Sequence, residues 1–227
     1  GHWETLDFWR VFNKAFVATT DFQTGLFSTI DLSTGVVNAR VGPIGSDPVP
    51  LSINGKIYVI NRFMQNNITV YDPADFSTPR QFSVAVNGLD TNPQAMVLIS
   101  SSKAYVTLYQ TDFILVINPQ TGEHIGRIDI SAFADADGIP EASPALLHNG
   151  YAYVGVQNWD QRQWILAGPG KVLKINAATD TIEGFATLTL RNPTTILYHS
   201  GRKQLLVGCP DSFFPPSIGT GGIEAVN

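Results

Sequence analysis

Residues 100–110, SSSKAYVTLYQ, have three counterparts elsewhere in the chain. These counterparts are INGKIYVINRF (53–63), HNGYAYVGVQN (148–158) and HSGRKQLLVGCP (199–210). Tyr58, Tyr105 and Tyr153 occupy equivalent positions, at intervals of 47 and 48 residues. Self-similarity at such a period is typical of a repeat architecture.

Each repeat predicts four strands. A polar residue and a proline introduce it, and proline favours an extended predecessor, so the first strand follows the pair. The pairs are Asp47-Pro48, Asn92-Pro93, Ser143-Pro144 and Asn192-Pro193. A tight turn leads to a nearly continuous apolar second strand, as expected of a strand buried on both faces. The third strand ends at an Asp or Asn that can bond its own turn, and the fourth alternates in polarity. Units of this kind predict an all-β protein with a β-propeller fold of four-stranded antiparallel blades.

About five blades are predicted, spanning residues 15–46, 47–91, 92–142, 143–191 and 192–227. The last is truncated, because Asn227 aligns with the asparagines that close the third strands of earlier blades. We therefore expect an incomplete ring in this sequence. Residues 1–14 form an N-terminal segment, in which LDFWRVFN (6–13) supplies either a first strand or a strand that closes a five-bladed ring.

The motifs YVIN (58–61) and YVTL (105–108) resemble the signature of YVTN-type propeller repeats of bacterial and archaeal surface or periplasmic proteins. The segment ILVINPQTGEHIGRI (114–128) resembles a second element of that family. The resemblance covers residues 15–227 and implies an extracytoplasmic location, periplasmic or at the cell surface. It also implies a binding or scaffold role. The WD dipeptide pattern and the Asp box of sialidases are missing.

Composition narrows the class of partner. The net charge of −5 without a basic run argues against nucleic acid, because nothing neutralises phosphates. Apolar runs are strand-sized and too short to cross a bilayer, so no membrane-spanning segment is predicted.

Cys209 is the one cysteine and is predicted to be a small buried hydrophobe. The four histidines fall at turns, a strand edge and the N-terminus, which disfavours a histidine metal site or a catalytic triad.

Aromatic side chains recur in the loops that follow the second strands and predict a ligand-binding face. The candidate residues are Phe22, Phe63, Tyr109, Phe113, Trp159, Asp160, Trp164, Phe213 and Phe214. The loops after residues 156 and 208 are the longest, and long loops in compact domains are often functional. Exposed aromatics beside carboxylates suit sugars, cationic groups or a protein partner. The alternative is that these aromatics cap the interfaces between blades.

The stretch DADGIPE (135–141) is a connection between blades on the same face. Asp135, Asp137 and Glu141 predict a calcium site, because calcium prefers carboxylate oxygens and Gly138 allows a turn. A full EF-hand pattern is absent. The alternatives are carboxylates that bond loop amides and an acid–base pair.

These observations predict a non-catalytic binding or scaffold propeller that engages a protein or glycan partner through its loop-bearing face. Calcium is the one cofactor predicted. A second hypothesis is a propeller hydrolase or lyase that uses carboxylates at the channel mouth. A third is a structural subunit of a larger surface assembly.

Overall fold

The structure, a computed structural model, describes residues 5–8, 13–213 and 219–227. The all-β prediction is confirmed, since the one helical element in these ranges is a 3-10 turn at Ser131–Phe133. The chain divides into two compact units, Gly1–Pro93 and Gln94–Asn227. No helix in the described ranges has the length and apolarity needed to span a membrane.

Unit 1 holds two four-stranded antiparallel sheets in which consecutive strands pair. The first sheet contains β1 Thr5–Phe8, β2 Lys14–Thr20, β3 Gly25–Asp31 and β4 Val37–Ile44. The second contains β5 Pro48–Ile53, β6 Lys56–Asn61, β7 Asn67–Asp72 and β8 Asp75–Ser83. Strand β6 is almost entirely buried and β4 is mostly exposed, as the predicted order from a covered second strand to an outer fourth strand requires.

Aromatic rings join the two sheets of unit 1. Phe16 and Phe27 stack with ring centroids 4.6 Å apart, and Tyr71 from the second sheet lies 5.0 Å from Phe27. Phe76 completes the group at 5.4 Å from Phe27. Such pairs add dispersion and quadrupole attraction to the burial of large apolar surfaces.

Unit 2 begins within a third four-stranded sheet: β9 Pro93–Ser100, β10 Lys103–Leu108, β11 Phe113–Ile117 and β12 His124–Asp129. The next strands are β13 Ala142–His148, β14 Tyr151–Val156, β15 Trp159–Asp160, β16 Ile165–Leu166, β17 Lys171–Asn176 and β18 Thr181–Thr187. Strands β15 and β16 form a separate ribbon, and the other four form the fourth sheet. The fifth sheet has three strands in the described residues: β19 Thr195–His199, β20 Gln204–Cys209 and β21 Gly222–Val226.

The sheets of unit 2 pack face to face through apolar clusters. Tyr105 and Val116 of the third sheet contact a cluster that includes Val154 and Leu173 of the fourth. A second cluster joins the fourth and fifth sheets and contains Cys209, whose pKa burial raises to about 11. The prediction that this cysteine is a buried hydrophobe is therefore confirmed.

Local turn chemistry explains the hairpins. Both residues of the Asn54-Gly55 turn have a positive φ, 49° at the asparagine and 77° at the glycine. The Asn149-Gly150 turn has nearly the same angles, 49° and 78°. A two-residue primed turn requires positive φ at both positions. At the third strands, the side-chain oxygens of Asp31, Asn118 and Asn176 accept the backbone N–H two residues later. These bonds confirm the predicted side-chain turns.

The proline pairs depart from expectation. Asn92 and Asn192, which precede prolines, have φ of 45° and 62° and are not extended. Asparagine adopts this left-handed region more readily than most residues with a side chain. At Asn192 a partner distant in sequence holds the side chain, because the buried Nδ2 donates to the Asp211 carbonyl at 2.6 Å. The prediction of an extended residue at these two positions is wrong.

The N-terminal segment contributes to the first sheet. Strand β1 pairs antiparallel with β2, Thr5 opposite Ala18 and Phe8 opposite Ala15. Of the two roles considered for residues 6–13, the part at 6–8 takes that of a first strand. Residues 9–12 lie outside the described ranges.

Candidate functional site

Two loops predicted to be functional meet in unit 2. The 135–141 connection links β12 to β13, and the 157–170 loop follows β14 and carries the β15–β16 ribbon. The Gln161 backbone N–H donates to Asp137 Oδ2 at 2.8 Å, and the Trp159 N–H donates to Glu141 Oε2 at 2.9 Å. We call the carboxylates Asp135, Asp137 and Glu141 the acidic cluster.

Glu141 is the most perturbed carboxyl of the cluster. It is fully buried, and burial raises its pKa to about 8, with the charges of Asp137 and Asp135 adding to the effect. Both carboxyl oxygens are engaged, because Gln161 Nε2 donates to Oε1 at 3.1 Å and Trp159 donates to Oε2. Its φ of 52° is unusual for a side chain of this length, so these bonds hold a strained backbone. Glu141 therefore orders the loops and can hold a proton near neutral pH.

Asp137 and Asp135 differ in how their oxygens are used. Asp137 Oδ1 accepts the Ile139 N–H at 2.8 Å, and Oδ2 accepts that of Gln161. Asp135 Oδ1 accepts the Asp137 N–H at 2.9 Å. Asp135 Oδ2, however, is buried without a hydrogen-bond donor. Burial raises the Asp135 pKa, and the charges of Asp137 and Asp160 act in the same direction.

Two further polar side chains border the cluster. Burial raises the pKa of Tyr109, and the charges of Glu141 and Asp137 raise it further, so its phenol stays protonated. Burial lowers the pKa of Lys171 at the start of β17, while the charge of Asp135 opposes that decrease. No ion pair joins Lys171 to Asp135 among the described residues. The site thus combines a hydroxyl donor, an amine and a carboxylate oxygen that lacks a donor.

Arg162 binds the backbone of the 135–141 loop from the neighbouring 157–170 loop. Its guanidinium donates to the carbonyls of Ala136 at 3.3 Å and Asp137 at 2.9 Å. Asp160 is buried and turns the 157–170 loop by accepting the N–H groups of Arg162 and Gln163. Asp160 therefore acts inside the loop and has little surface to offer a partner.

The predicted aromatic face divides by exposure. Trp159 is 6% exposed, whereas Trp164, five residues later, is 68% exposed and contacts Trp159 edge-on at 6.4 Å. Phe113 lies under the Arg127 guanidinium at 4.3 Å, and Phe213 is half exposed. In unit 1, Phe22 and Phe63 are exposed. Phe214 lies outside the described residues.

The predicted calcium ligands lie in one loop, but their oxygens bond loop amides. Across the described ranges, no three His, Cys, Asp or Glu side chains are grouped as metal ligands. Asp135 Oδ2 is the carboxylate oxygen of the cluster that lacks a donor. Calcium binding stays a prediction.

Sequence reasoning did not single out Lys171 or Gln161. Lys171 carried a weak signal, as a lone cation at the start of the buried strand β17. Gln161 carried none, because its two bonds to the acidic cluster cross about twenty residues of chain.

Comparison with known proteins adds a family model and several folds. The model for glutamine cyclotransferase matches residues 63–167, a range that includes Tyr109 and the acidic cluster. A search among curated proteins finds no match.

Among solved structures, the β-propeller domain of Cps50 (Swd1) from Myceliophteria thermophila has a TM-score of 0.68 at 14% identity, over 93% of this chain and 63% of that one. The WD40 propeller domain of Doa1 has a TM-score of 0.57 at 12% identity, and the match covers 90% of this chain and 59% of that one. The chain has a β-propeller fold. A virginiamycin B lyase from Staphylococcus aureus, solved with quinupristin, is also similar, with a TM-score of 0.63 at 14% identity over 97% and 68%.

This propeller spans less than two thirds of the Cps50 and Doa1 chains. Identities this low show the fold alone, so the YVTN-type assignment stays a prediction.

Proposed function

We propose that the protein is a binding propeller that takes a protonated amine of its partner at the acidic cluster. One observation carries the proposal: Asp135 Oδ2 is buried and lacks a donor among the described residues. A buried carboxylate oxygen without a donor costs free energy, and a ligand that donates to it recovers that cost. An ammonium group offers three donors and no acceptor, and an ionised carboxylate oxygen only accepts, so the two groups are complementary.

Electrostatics favour the same ligand. Burial and the charges of Asp137 and Asp160 all oppose ionisation of Asp135, so a bound cation would relieve the repulsion. Lys171 is close enough to respond to the charge of Asp135, yet it forms no ion pair with it in the described residues. Asp135 therefore has no cation paired with it among the described residues.

Trp164 supplies a contact for the remainder of the ligand. It lies in the loop that bonds the acidic cluster, and its exposed indole can cover an apolar chain or a cation. A peptide or protein with an accessible amine fits this pair of features better than a neutral glycan. Within this proposal, the protein has an extracytoplasmic scaffold role in a larger assembly.

A tetrapeptide with a free N-terminal amine tests the proposal. We expect calorimetry to detect binding of Gln-Ala-Ala-Ala to the wild type, and no binding of its N-acetylated form. Asp135→Asn is expected to weaken binding about tenfold or more, the size of a lost hydrogen bond to a charged group. Asp112→Asn, at an exposed aspartate of the same unit, is the matched control and should leave affinity unchanged. Equal binding of the free and acetylated peptides would reject an amine site.

A second candidate function follows from the glutamine cyclotransferase match at residues 63–167. In such a reaction the α-amino nitrogen of an N-terminal glutamine attacks the side-chain carboxamide carbon. The new C–N bond closes a lactam, and the former amide nitrogen leaves as ammonia after gaining a proton. Glu141, whose pKa is raised to about 8, could accept the proton of the amine and return it to ammonia. Its complete burial disfavours this role unless the 157–170 loop opens.

The same tetrapeptide separates the two functions. Release of ammonia by the wild type, lost in Glu141→Gln but not in Glu123→Gln, would establish the enzyme. Binding without ammonia release would establish the binding module.

Calcium is a competing occupant of Asp135 Oδ2. If calcium binds there, the unfolding temperature is higher in calcium than in EDTA. A ligand that binds only the folded state adds about 2.7 kcal/mol to the free energy of unfolding at a hundredfold excess over Kd. Asp135→Asn combined with Asp137→Asn should abolish the difference. An unchanged wild-type midpoint would reject calcium and leave the amine as the proposed cation.

A further inference from the structure

Unit 1 contains a cavity of about 320 Å³, in the size range of small-molecule pockets. It lies between the end of β4 and the strands β7 and β8. Every side chain that lines it is uncharged. The lining consists of prolines and an isoleucine, a glycine, a tyrosine, a threonine and three side-chain amides.

A buried amide fixes the shape of the cavity. Asn61 Oδ1 accepts the Gly45 N–H at 2.8 Å, while Asn61 Nδ2 donates to Asn67 Oδ1 at 2.7 Å and to Thr69 Oγ1 at 3.0 Å. A side chain at Gly45 would collide with Asn61, because an added Cβ would lie 2.6 Å from Oδ1. Both Nδ2 donors of Asn61 and its Oδ1 are engaged, so Asn61 positions its neighbours.

Thr69 has a donor to spare. Its hydroxyl oxygen accepts two hydrogen bonds, from Asn61 and from Gln81 Nε2 at 2.9 Å. With the Gln81 amide in this orientation, the Thr69 proton makes no hydrogen bond among the described residues, and the side chain is buried. A buried hydroxyl in this state favours a molecule in the cavity that accepts its proton.

The rim adds both kinds of hydrogen-bonding group. The side-chain amide of Gln65 makes no hydrogen bond in the described part of the chain, because the bonds of this residue are all to its backbone. Gln81 keeps its side-chain oxygen available for a donor. Pro43 and Pro79 contribute compact apolar faces. The Tyr71 ring cannot stack a planar base, because Phe27 and Phe76 pack against it at 5.0 and 6.0 Å. Its hydroxyl is engaged with the Pro43 carbonyl at 3.3 Å.

We infer that this cavity is a binding site for a neutral saccharide, of the size of one pyranose ring. A pyranose carries hydroxyls that both donate and accept, which the Thr69 proton and the amides of Gln65 and Gln81 complement. Its ring carbons offer apolar patches to the prolines. The absence of charge in the lining disfavours amino sugars and sugar acids, since nothing would pair with a desolvated charge. This site is separate from the acidic cluster of unit 2 and does not depend on the function proposed there.

Saturation-transfer NMR with glucose tests the inference, with glucosamine, gluconate and adenosine as comparison probes. We expect glucose to bind the wild type and the three comparison probes to bind much more weakly. Thr69→Val removes the hydroxyl at nearly constant volume and should weaken glucose binding about three- to tenfold. Thr69→Ser keeps the hydroxyl and should retain the affinity. Gln65→Trp, at an exposed rim position, should obstruct the cavity without touching the buried amide.

Gln65→Trp also decides the question if Thr69→Val does not fold. Glucose binding that is absent in the wild type, or unchanged in the folded variants, would overturn the saccharide site. Adenosine binding more tightly than glucose would overturn it as well.

Discussion

Raising the pH from about 5 to about 9 is expected to lower the free energy of unfolding of the wild type, and Glu141→Gln is expected to remove most of that decrease. The pKa of Glu141 rises from an ordinary 4.5 to about 8 in the folded state. The folded protein therefore holds this proton more tightly than the unfolded chain, and the associated stability is complete below about pH 4.5. It is lost as the pH rises to about 8, above which the carboxyl is ionised in both states.

The size of this decrease follows from the pKa. At about 1.4 kcal/mol per pKa unit, the loss is on the order of 4 kcal/mol. Denaturant unfolding at several pH values measures it. Glu123→Gln is the matched control, at an exposed glutamate of the same unit, and its curve should parallel that of the wild type. A wild-type stability that stays constant across this range would contradict the burial of an ionisable Glu141.

Phe27→Ala is expected to destabilise unit 1 by about 3–5 kcal/mol, the usual cost of removing a buried phenylalanine. Phe27 is 1% exposed and contacts Phe16, Tyr71 and Phe76 within 5.4 Å. Its loss leaves a cavity between the first and second sheets and removes three aromatic contacts. Hydrogen exchange followed by mass spectrometry should show faster exchange in β2, β3, β6 and β7.

Leu89→Ala is the comparison for this variant, since Leu89 lies in the same unit but is 65% exposed. Its exchange rates should match those of the wild type. Equal protection in Phe27→Ala and Leu89→Ala would show that the aromatic contacts do not hold the two sheets together.

The strands were predictable because their signals are local. The Asn54-Gly55 and Asn149-Gly150 pairs specify their turns from two residues, and the side chains of Asp31, Asn118 and Asn176 bond backbone groups two residues away. The backbone conformation of Asn92 and Asn192 was mispredicted, because the rule for a residue before proline considers only adjacent residues. Both residues bond partners that are distant in the sequence. Asn66 Oδ1 accepts the Asn92 N–H, and Asn192 bonds the Asp211 carbonyl.

The candidate site was predictable in place but not in chemistry. The acidity of the 135–141 loop and the length of the 157–170 loop are visible in the sequence. Burial is not, and burial is what raises the pKa of Glu141 and separates Trp159 from Trp164. The saccharide cavity was not predicted, because the bonds of Thr69 to Asn61 and Gln81 depend on how the strands pair and cannot be read from the sequence.

The order of strands within each sheet affects how the chain can fold while it is being synthesised. Each strand pairs with a neighbour close in the sequence, and even β14 and β17 are separated only by one loop and its ribbon. Short loops cost little entropy to close, so each hairpin can form soon after its second strand leaves the ribosome. The first sheet needs only residues up to Ile44, and its pairing does not wait for the rest of the polypeptide.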